Sequence, residues 1–234
     1  KTIDVHTLVT RSLLDMCKDW GSKFIFFSSS EIYGQPLSTS IPTTEDFNGN
    51  VSCQGPRACY DESKRLGETL CYIYNDYYNL NINIIRPFNI YGPGMQQNDY
   101  RVLPNFASKI KSDLPLKIYG SGNQTRTYCY ITDAIVGFLK VMVNGFPGEV
   151  YNIGNPYPEI SVEELYNIIQ DITEFKLKNA KVEYPSSYPT DEPQRRCPDI
   201  GKAIKHLNYS PIVKLEDGLK RFLEWTNLNY IKEN

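Results

Sequence analysis

The segment Phe24–Phe27 is the feature that most constrains the fold, because four apolar residues follow one another without a polar residue between them. A strand with one face in water alternates apolar and polar residues, whereas a strand covered on both faces does not. Strands covered on both faces occur in parallel sheets that have helices on each side. The segment therefore predicts a buried strand of a parallel sheet, followed by a short polar turn at Ser28–Glu31.

Segments with helical periodicity alternate with short apolar segments along the rest of the chain. The first helix begins near Val5 and ends at Gly21, a residue suited to a left-handed C-cap. Ser161 and Glu164 have the spacing of a capping box. The other predicted helices are 58–78, 103–112, 131–144, 161–173, 199–207 and 216–230, and the other predicted strands are 80–86, 150–153 and 182–184. This alternation predicts an α/β fold with a largely parallel sheet.

The composition excludes a nucleic-acid or membrane partner. The 234 residues are 41% hydrophobic and 22% charged, with a formal net charge of -2. A chain of this balance has no electrostatic reason to bind nucleic acid or an anionic membrane surface. No apolar run approaches the ~20 residues of a membrane span.

The six cysteines and two histidines give no metal-binding pattern. No C-x-x-C pair is present, and the irregular spacing favours free thiols in a reducing compartment over disulfides. We therefore expect a cytoplasmic protein without a metal. His6 and His206 have no evident partner in the sequence and receive no predicted role.

Tyr60 and Lys64 form a Y-x-x-x-K pattern at the start of the helix predicted over 58–78. At this spacing the phenol and the ammonium share one helix face, and a nearby cation favours the ionised phenol, which can act as a base. Alone, the pattern is more typical of a half-buried Tyr beside an exposed Lys than of a catalytic pair. Its place after the turn Ser28–Glu31 favours a site, because ligands gather at the carboxyl ends of parallel strands.

Five segments in chain order carry a resemblance to a known family. They are Gly55–Lys64, Arg86–Pro93, Tyr119–Arg126, Asn152–Pro156 and Glu192–Ile200. Together they resemble the motifs of extended short-chain dehydrogenases/reductases that act on nucleotide sugars, and they are most similar to those of UDP-glucuronate decarboxylases.

This resemblance implies a role for each residue around the sugar C4 atom. Tyr60 would take the proton of the C4 hydroxyl while hydride passes from C4 to NAD⁺. Lys64 would tune Tyr60 and hold the nicotinamide ribose, and Ser29 would bond to the same hydroxyl oxygen. Ser28 and Arg86 are the further residues expected to contact NAD.

The resemblance also implies how C6 is removed. Ser30 and Glu31 would lie near C5 and the carboxylate, and Arg196 would contact that carboxylate. A ketone at C4 is β to C6, so the electrons released with CO₂ can move into the carbonyl. The UDP group would be bound by Asn89, Arg101, Tyr119, Gln124 and Arg126, because guanidinium forks suit phosphate geometry.

The implied architecture is the C-terminal part of a Rossmann-like doubly wound parallel sheet together with a smaller α/β substrate-binding domain. Residues 1–90 would belong to the first part and 91–234 mainly to the second, with about 131–155 returning to the first. The family's G-x-x-G-x-x-G segment does not occur in this sequence. We therefore expect a longer native protein with that segment upstream, and weak NAD binding by these 234 residues alone.

Three alternative functions remain open at this point. A nucleotide-sugar 4,6-dehydratase generally has Asp-Glu after the hydroxyl residue, where this chain has Ser30-Glu31. A 4-epimerase generally lacks the glutamate. A non-catalytic subunit that binds nucleotide sugar would not need Tyr60 and Lys64. The resemblance further implies a homodimer formed through the helix that carries Tyr60 and the helix before it.

Overall fold

The computed structural model describes residues 1–173, 179–182 and 193–232. A π-helical turn at Val5–Val9 joins the first two helices, and 3₁₀ turns lie at Ser30–Tyr33 and Ser38–Ser40. The helices are α1 (Thr2–Asp4), α2 (Thr10–Trp20), α3 (Ala58–Tyr78), α4 (Val102–Lys111), α5 (Ile131–Asn144), α6 (Val162–Thr173), α7 (Gly201–Leu207) and α8 (Leu215–Asn229). The strands are β1 (Phe24–Phe27), β2 (Ile82–Pro87), β3 (Ile90–Tyr91), β4 (Leu116–Tyr119), β5 (Thr125–Arg126), β6 (Cys129–Tyr130), β7 (Val150–Ile153), β8 (Ile160–Ser161), β9 (Asn179–Val182) and β10 (Arg195–Arg196).

Three parallel strands form the main sheet, in the order β1-β2-β7. Ile84 of β2 packs with α2 and α3 on one face, whereas Ile85 packs with α5 and α7 on the other. The alternation of side chains along β2 thus covers both faces of the sheet with helices. The predicted α/β fold with a parallel, Rossmann-like sheet is confirmed.

Strand β1 is less buried than its sequence predicts. Phe26 is buried, but Phe27 is 46% exposed. The reason is position, because β1 lies at the edge of the three-stranded sheet while β2 occupies its centre. The strand covered on both faces is therefore β2, and the expectation for β1 is wrong at Phe27.

A second hydrophobic cluster packs α4, α6 and α8 against β4. Phe106, Leu165, Leu219 and Phe222 are fully or almost fully buried in it. Strand β7, which follows α5, returns to the main sheet. The division of the chain near residue 90 into two parts stays a prediction.

Most predicted helices and strands begin and end near the residues expected from the spacing of apolar side chains. Helix α3 and strand β7 begin and end at the predicted residues. The capping box of α6 is present, since Ser161 Oγ accepts from Glu164 N at 3.1 Å and Glu164 Oε2 accepts from Ser161 N at 2.7 Å. The strand predicted over 182–184 is β9, which ends at Val182. The predicted residues 183–184, and Glu192 of the fifth motif, lie outside the described residues.

None of the described helices has the length and apolar character needed to span a bilayer. All six cysteines lie in the described ranges and have free thiols there. Within the same ranges, His, Cys, Asp and Glu side chains form no cluster of three or more that could bind a metal ion.

Candidate active site

One large cavity lies at the carboxyl end of the main sheet and has a volume of about 1080 Å³. The strand ends of β1 and β2, the start of α3 and the segment around α4 contribute to its wall. Most of the predicted site residues line it: Ser28, Ser29, Ser30, Glu31, Tyr60, Asn89, Arg101, Tyr119, Gln124, Arg126 and Arg196. Residues from six separate parts of the chain therefore meet at one place.

The turn after β1 presents three serines and Glu31 to this cavity. Ser29 is the N-cap of the 3₁₀ turn, and its Oγ accepts a hydrogen bond from Glu31 N at 3.2 Å. A hydroxyl that accepts in this way still has its own proton to donate. Ser28 is buried, and its Oγ has no hydrogen-bond partner among the described residues.

Tyr60 and Lys64 lie one turn apart on the same face of α3, as their spacing predicts. The Lys64 Nζ atom is 5.9 Å from the centre of the Tyr60 ring and donates to the carbonyl oxygen of Phe27 at 2.7 Å. Burial lowers the pKa of Lys64. Tyr60 itself is 37% exposed at the cavity, so its ring is accessible to a ligand.

Glu31 is held by two arginines from different parts of the chain. Arg196 of β10 donates through both terminal nitrogens, Nη1 to Oε1 and Nη2 to Oε2, the latter at 2.8 Å. Arg57, directly before α3, pairs through Nη2 with Oε2 of the same carboxylate. The Nε atom of Arg57 also lies 3.6 Å from Oδ2 of the buried Asp61.

Sequence reasoning missed Arg57 and Asp61. Both flank Tyr60 in the first motif segment at i,i+4 spacing, which is the signal that could have revealed them. Their contacts link the start of α3, which carries Tyr60, to Glu31.

The residues expected to bind UDP also line the cavity. Asn89 has a left-handed backbone and donates through Nδ2 to the carbonyl of Thr127 at 2.8 Å. Arg126 is buried and donates to the carbonyls of Pro193 and Gln194, which fixes the chain just before Arg196.

Arg101 lies at the rim of the cavity and is exposed. Its Nε and Nη2 atoms bond Asp99, the latter at 2.5 Å. Tyr119 at the end of β4 and Gln124 before β5 complete the predicted set.

The structure does not bring Arg86 into this cavity. Its Nε and Nη2 atoms donate to the two oxygens of Glu68 at 2.9 Å and 2.6 Å, and Nη1 donates to Tyr33 Oη and the Glu45 carbonyl. Arg86 instead lines a separate cavity of about 400 Å³ beside α3. Glu68 and its neighbours bond the Arg86 guanidinium in this structure, and the contact of Arg86 with NAD stays a prediction.

Three residues at the end of β1 and the start of α3 fit the nicotinamide end of a dinucleotide. The buried Ser28 Oγ lacks a partner among the described residues, and Lys64 Nζ bonds the last carbonyl of β1 beside it. Tyr60 completes this edge of the cavity. An orphaned buried hydroxyl of this kind is costly unless a ligand or water satisfies it.

Residues 1–154 match the family described as the NAD dependent epimerase/dehydratase family. The chain belongs to this family. Its fold and the position of its cavity at the strand ends agree with that membership.

Curated relatives of known name are similar to this chain over nearly its whole length. UDP-glucuronic acid decarboxylase 1 of Arabidopsis thaliana is 37% identical over 223 residues, which are 95% of this chain and 49% of the relative. The protein of the same name from Xenopus tropicalis is 36% identical over 96% of this chain and 52% of its own length. The chain thus spans about half the length of these curated relatives.

Among solved structures, UDP-glucuronic acid 4-epimerase from Bacillus cereus in complex with UDP-glucuronic acid and NAD superposes with a TM-score of 0.85. It is 30% identical, and the match covers 97% of this chain and 69% of the epimerase chain. The dTDP-glucose 4,6-dehydratase DesIV from Streptomyces venezuelae, with NAD and TYD bound, has a TM-score of 0.83 at 28% identity. That match covers 97% of this chain and 67% of DesIV.

Proposed function

We propose that the full-length protein is an NAD-dependent decarboxylase that converts UDP-glucuronate to UDP-xylose. The observation that carries the proposal is that Tyr60 and the Glu31–Arg196 pair line the same cavity. Membership of the NAD dependent epimerase/dehydratase family and the identity to UDP-glucuronic acid decarboxylases support it.

Ser28, Tyr60 and Lys64 would hold the nicotinamide end of NAD, since Ser28 and Tyr60 line the cavity and Lys64 donates to the last carbonyl of β1 beside them. Bound NAD supplies the acceptor, and later the donor, of the C4 hydride. Tyr60 removes the proton of the C4 hydroxyl. Ser29, whose Oγ accepts from Glu31 N, directs its own proton to the same sugar oxygen.

The carboxylate end of the sugar is assigned to Arg196, Glu31 and Ser30. The Arg196 guanidinium can bind a carboxylate through two hydrogen bonds, as it binds Glu31 in this structure. The C5–C6 bond breaks as CO₂ leaves, and its electron pair moves into the C4 carbonyl as an enolate. A proton from water is then added at C5, hydride returns to C4, and Tyr60 gives its proton back to the C4 oxygen, which yields the pentose.

The UDP group is assigned to Asn89, Arg101, Tyr119, Gln124 and Arg126, which line the same cavity. Arg101 is exposed at the rim and can move from Asp99 to a phosphate. Arg126 is buried, and its hydrogen bonds hold this part of the cavity wall in position. Guanidinium groups at both positions give the diphosphate two cationic neighbours.

The test is to incubate the full-length protein with NAD⁺ and UDP-glucuronate labelled with ¹³C at C6. The proposal predicts labelled CO₂ and UDP-xylose. A wild-type protein that binds both ligands and releases no labelled CO₂ contradicts it.

A second candidate is 4-epimerisation of the same nucleotide sugar. It is supported by the superposition on UDP-glucuronic acid 4-epimerase from Bacillus cereus, with a TM-score of 0.85. The ¹³C experiment separates the two, because an epimerase returns a hexuronate that retains the C6 label.

We also propose that the protein forms a homodimer through α2 and α3. Exposed apolar residues follow one stripe on each helix. On the first they lie three or four positions apart, at Val9 in the π-helical turn and at Leu13, Met16 and Trp20 of α2. On α3 they are Leu66, Ile73 and Tyr77, seven and four positions apart. Packed together, two such surfaces bury apolar area that each chain alone leaves in water. Light scattering of the full-length protein should give a mass twice that of one chain. A measured mass of one chain contradicts the proposal.

We propose a cytoplasmic location, because six free thiols are typical of a reducing compartment. Imaging of the tagged full-length protein tests this, and its recovery in a secretory compartment overturns it.

A further inference from the structure

His6 lies in the π-helical turn Val5–Val9 and contacts the start of α3. Single π-helical turns are rare and frequently occur at functional sites. Nothing in the sequence gave His6 a partner. In the structure its Nδ1 atom lies 2.8 Å from Ser63 Oγ, and its ring contacts Tyr60.

The hydrogen bonds around Ser63 fix which nitrogen of His6 carries a proton. Ser63 Oγ donates its single proton to the carbonyl oxygen of Tyr60 at 2.9 Å. His6 Nδ1 must therefore donate to Ser63 Oγ. Burial, and the charge of Lys64, lower the pKa of His6, which favours the neutral ring with its proton on Nδ1.

The His6 ring packs edge-on against the Tyr60 ring, with the ring centres 5.5 Å apart and an interplanar angle of 75°. This is a favourable geometry for two aromatic rings. Tyr60 is otherwise 37% exposed, and no described residue hydrogen-bonds its hydroxyl. The contact with His6 thus restricts a side chain that the cavity alone leaves free to change rotamer.

We propose that His6 is a positioning residue for Tyr60: its ring and its hydrogen bond to Ser63 hold the phenol at the cavity wall beside Lys64. This inference rests on the proposed function only through the role of Tyr60 as the base at C4. That role is shared by decarboxylase, epimerase and dehydratase chemistry. A displaced base costs catalysis because proton transfer requires hydrogen-bond distance.

His206 offers a matched comparison within the same chain. Its Nδ1 atom lies 3.3 Å from Tyr151 Oη, and the two rings are 5.9 Å apart at 79°. Tyr151 is fully buried in the core behind the sheet and does not line the cavity. His206 therefore represents a His–Tyr contact that only supports packing of the core.

The experiment measures C4 oxidation by the full-length protein in single turnover, from the absorbance of reduced NAD at 340 nm. Alongside it, KM and the calorimetric Kd for UDP-glucuronate are determined. His6→Ala removes ring and donor, His6→Phe keeps a ring, and His6→Asn keeps a donor to Ser63. His206→Phe is the control for packing.

The proposal predicts that His6→Ala lowers the oxidation rate by about tenfold or more, while KM and Kd stay within about twofold. His6→Phe and His6→Asn each recover part of the rate, and His206→Phe leaves it at the wild-type value. A folded His6→Ala that retains the wild-type rate overturns the proposal. So does a loss in which the rate, the affinity and the thermal midpoint fall together.

The two proposals fail separately. A wild type that oxidises C4 without releasing CO₂ removes the decarboxylase assignment and leaves the effect of His6 measurable. A wild type that binds both ligands and oxidises nothing contradicts the role of Tyr60, and the proposal for His6 is overturned with it.

Discussion

Two guanidinium–carboxylate pairs with the same bidentate chemistry occupy different places in this molecule. Arg86 bonds both oxygens of Glu68, and Arg196 bonds both oxygens of Glu31. The two arginines are equally buried, at 8% and 7% exposure. Residue type and burial therefore do not distinguish a structural pair from a pair at a site.

What distinguishes them is the surroundings. The Arg86 pair joins β2 to α3, and Tyr33 and the Glu45 carbonyl occupy its remaining donor. The Arg196 pair faces the large cavity, where Glu31 is shared with Arg57. All three guanidinium nitrogens of Arg86 are bonded to protein oxygens, whereas Arg196 can exchange one carboxylate for another in the large cavity. We therefore expect the first to determine stability and the second to determine activity.

The largest expected effect is on stability. Arg86→Met leaves Glu68 buried without its cation, which should lower the free energy of unfolding by about 3–5 kcal/mol. Urea denaturation of the full-length protein, followed by circular dichroism, measures it. The folded enzyme should keep its kcat within about threefold, since Arg86 does not line the large cavity. A loss below about 1 kcal/mol would remove the proposed difference between the pairs.

The next effect is on catalysis. Arg196→Gln should lower kcat/KM for decarboxylation by about 100-fold or more, as the loss of a charge-stabilising donor does in other active sites. The unfolding free energy should change less than in Arg86→Met, because Arg57 still pairs with Glu31. Arg195→Gln is the matched control, being the exposed neighbour in β10. Equal losses in both variants would show that the strand, and not the Arg196 guanidinium, is responsible.

An intermediate effect is expected at Arg57. Arg57→Gln removes one of the two cations on Glu31 and the link to Asp61. Because Arg196 still holds Glu31, we expect a loss of about tenfold in kcat/KM, smaller than for Arg196→Gln. Steady-state assays with UDP-glucuronate test this order. If Arg57→Gln is the more damaging variant, Arg57 rather than Arg196 is the principal partner of the substrate carboxylate.

The smallest effect concerns a third pair, Arg195–Glu159, at 2.7 Å. The hydrogen bond from Arg195, with that from Thr125, holds the pKa of Glu159 below its usual range despite partial burial. A depressed carboxyl pKa gives stability that is present above the ordinary glutamate pKa and is lost as the pH falls through the folded value. Arg195 is largely exposed, so the contribution should stay below about 1 kcal/mol.

Urea unfolding of wild type and Glu159→Gln at neutral and acidic pH measures this contribution. The difference between them should be present at neutral pH and vanish in acid. A difference that grows as the pH falls would contradict the sign.

Much of the fold could be predicted from the sequence. The spacing of apolar residues and the residues that flank each segment determine where α3 and β7 begin and end. Gly21 ends α2 in the left-handed conformation expected of it. Strand β1 was less predictable, because an apolar run does not show whether its strand lies at the centre or the edge of a sheet. The two-residue strands β3, β5, β6, β8 and β10 are too short to leave a periodic pattern.

The site was predictable where its residues sit in continuous motifs, and less so where their partners are distant in sequence. Arg86 has the residue type of a ligand-binding group, but its partner Glu68 is visible only in the fold. The contact of His6 with Ser63 spans 57 positions and has no local signal. Arg57 carried a local signal, the i,i+4 spacing to Asp61, but Glu31 became its neighbour only through the fold.

The most direct test of the account is a crystal structure of the full-length protein with NAD and UDP-glucuronate bound. We expect the C6 carboxylate within hydrogen-bond distance of Arg196, and the C4 hydroxyl within hydrogen-bond distance of Tyr60 and Ser29. A sugar bound with its carboxylate directed away from Arg196, or with C4 remote from Tyr60, would contradict the assignment of this cavity.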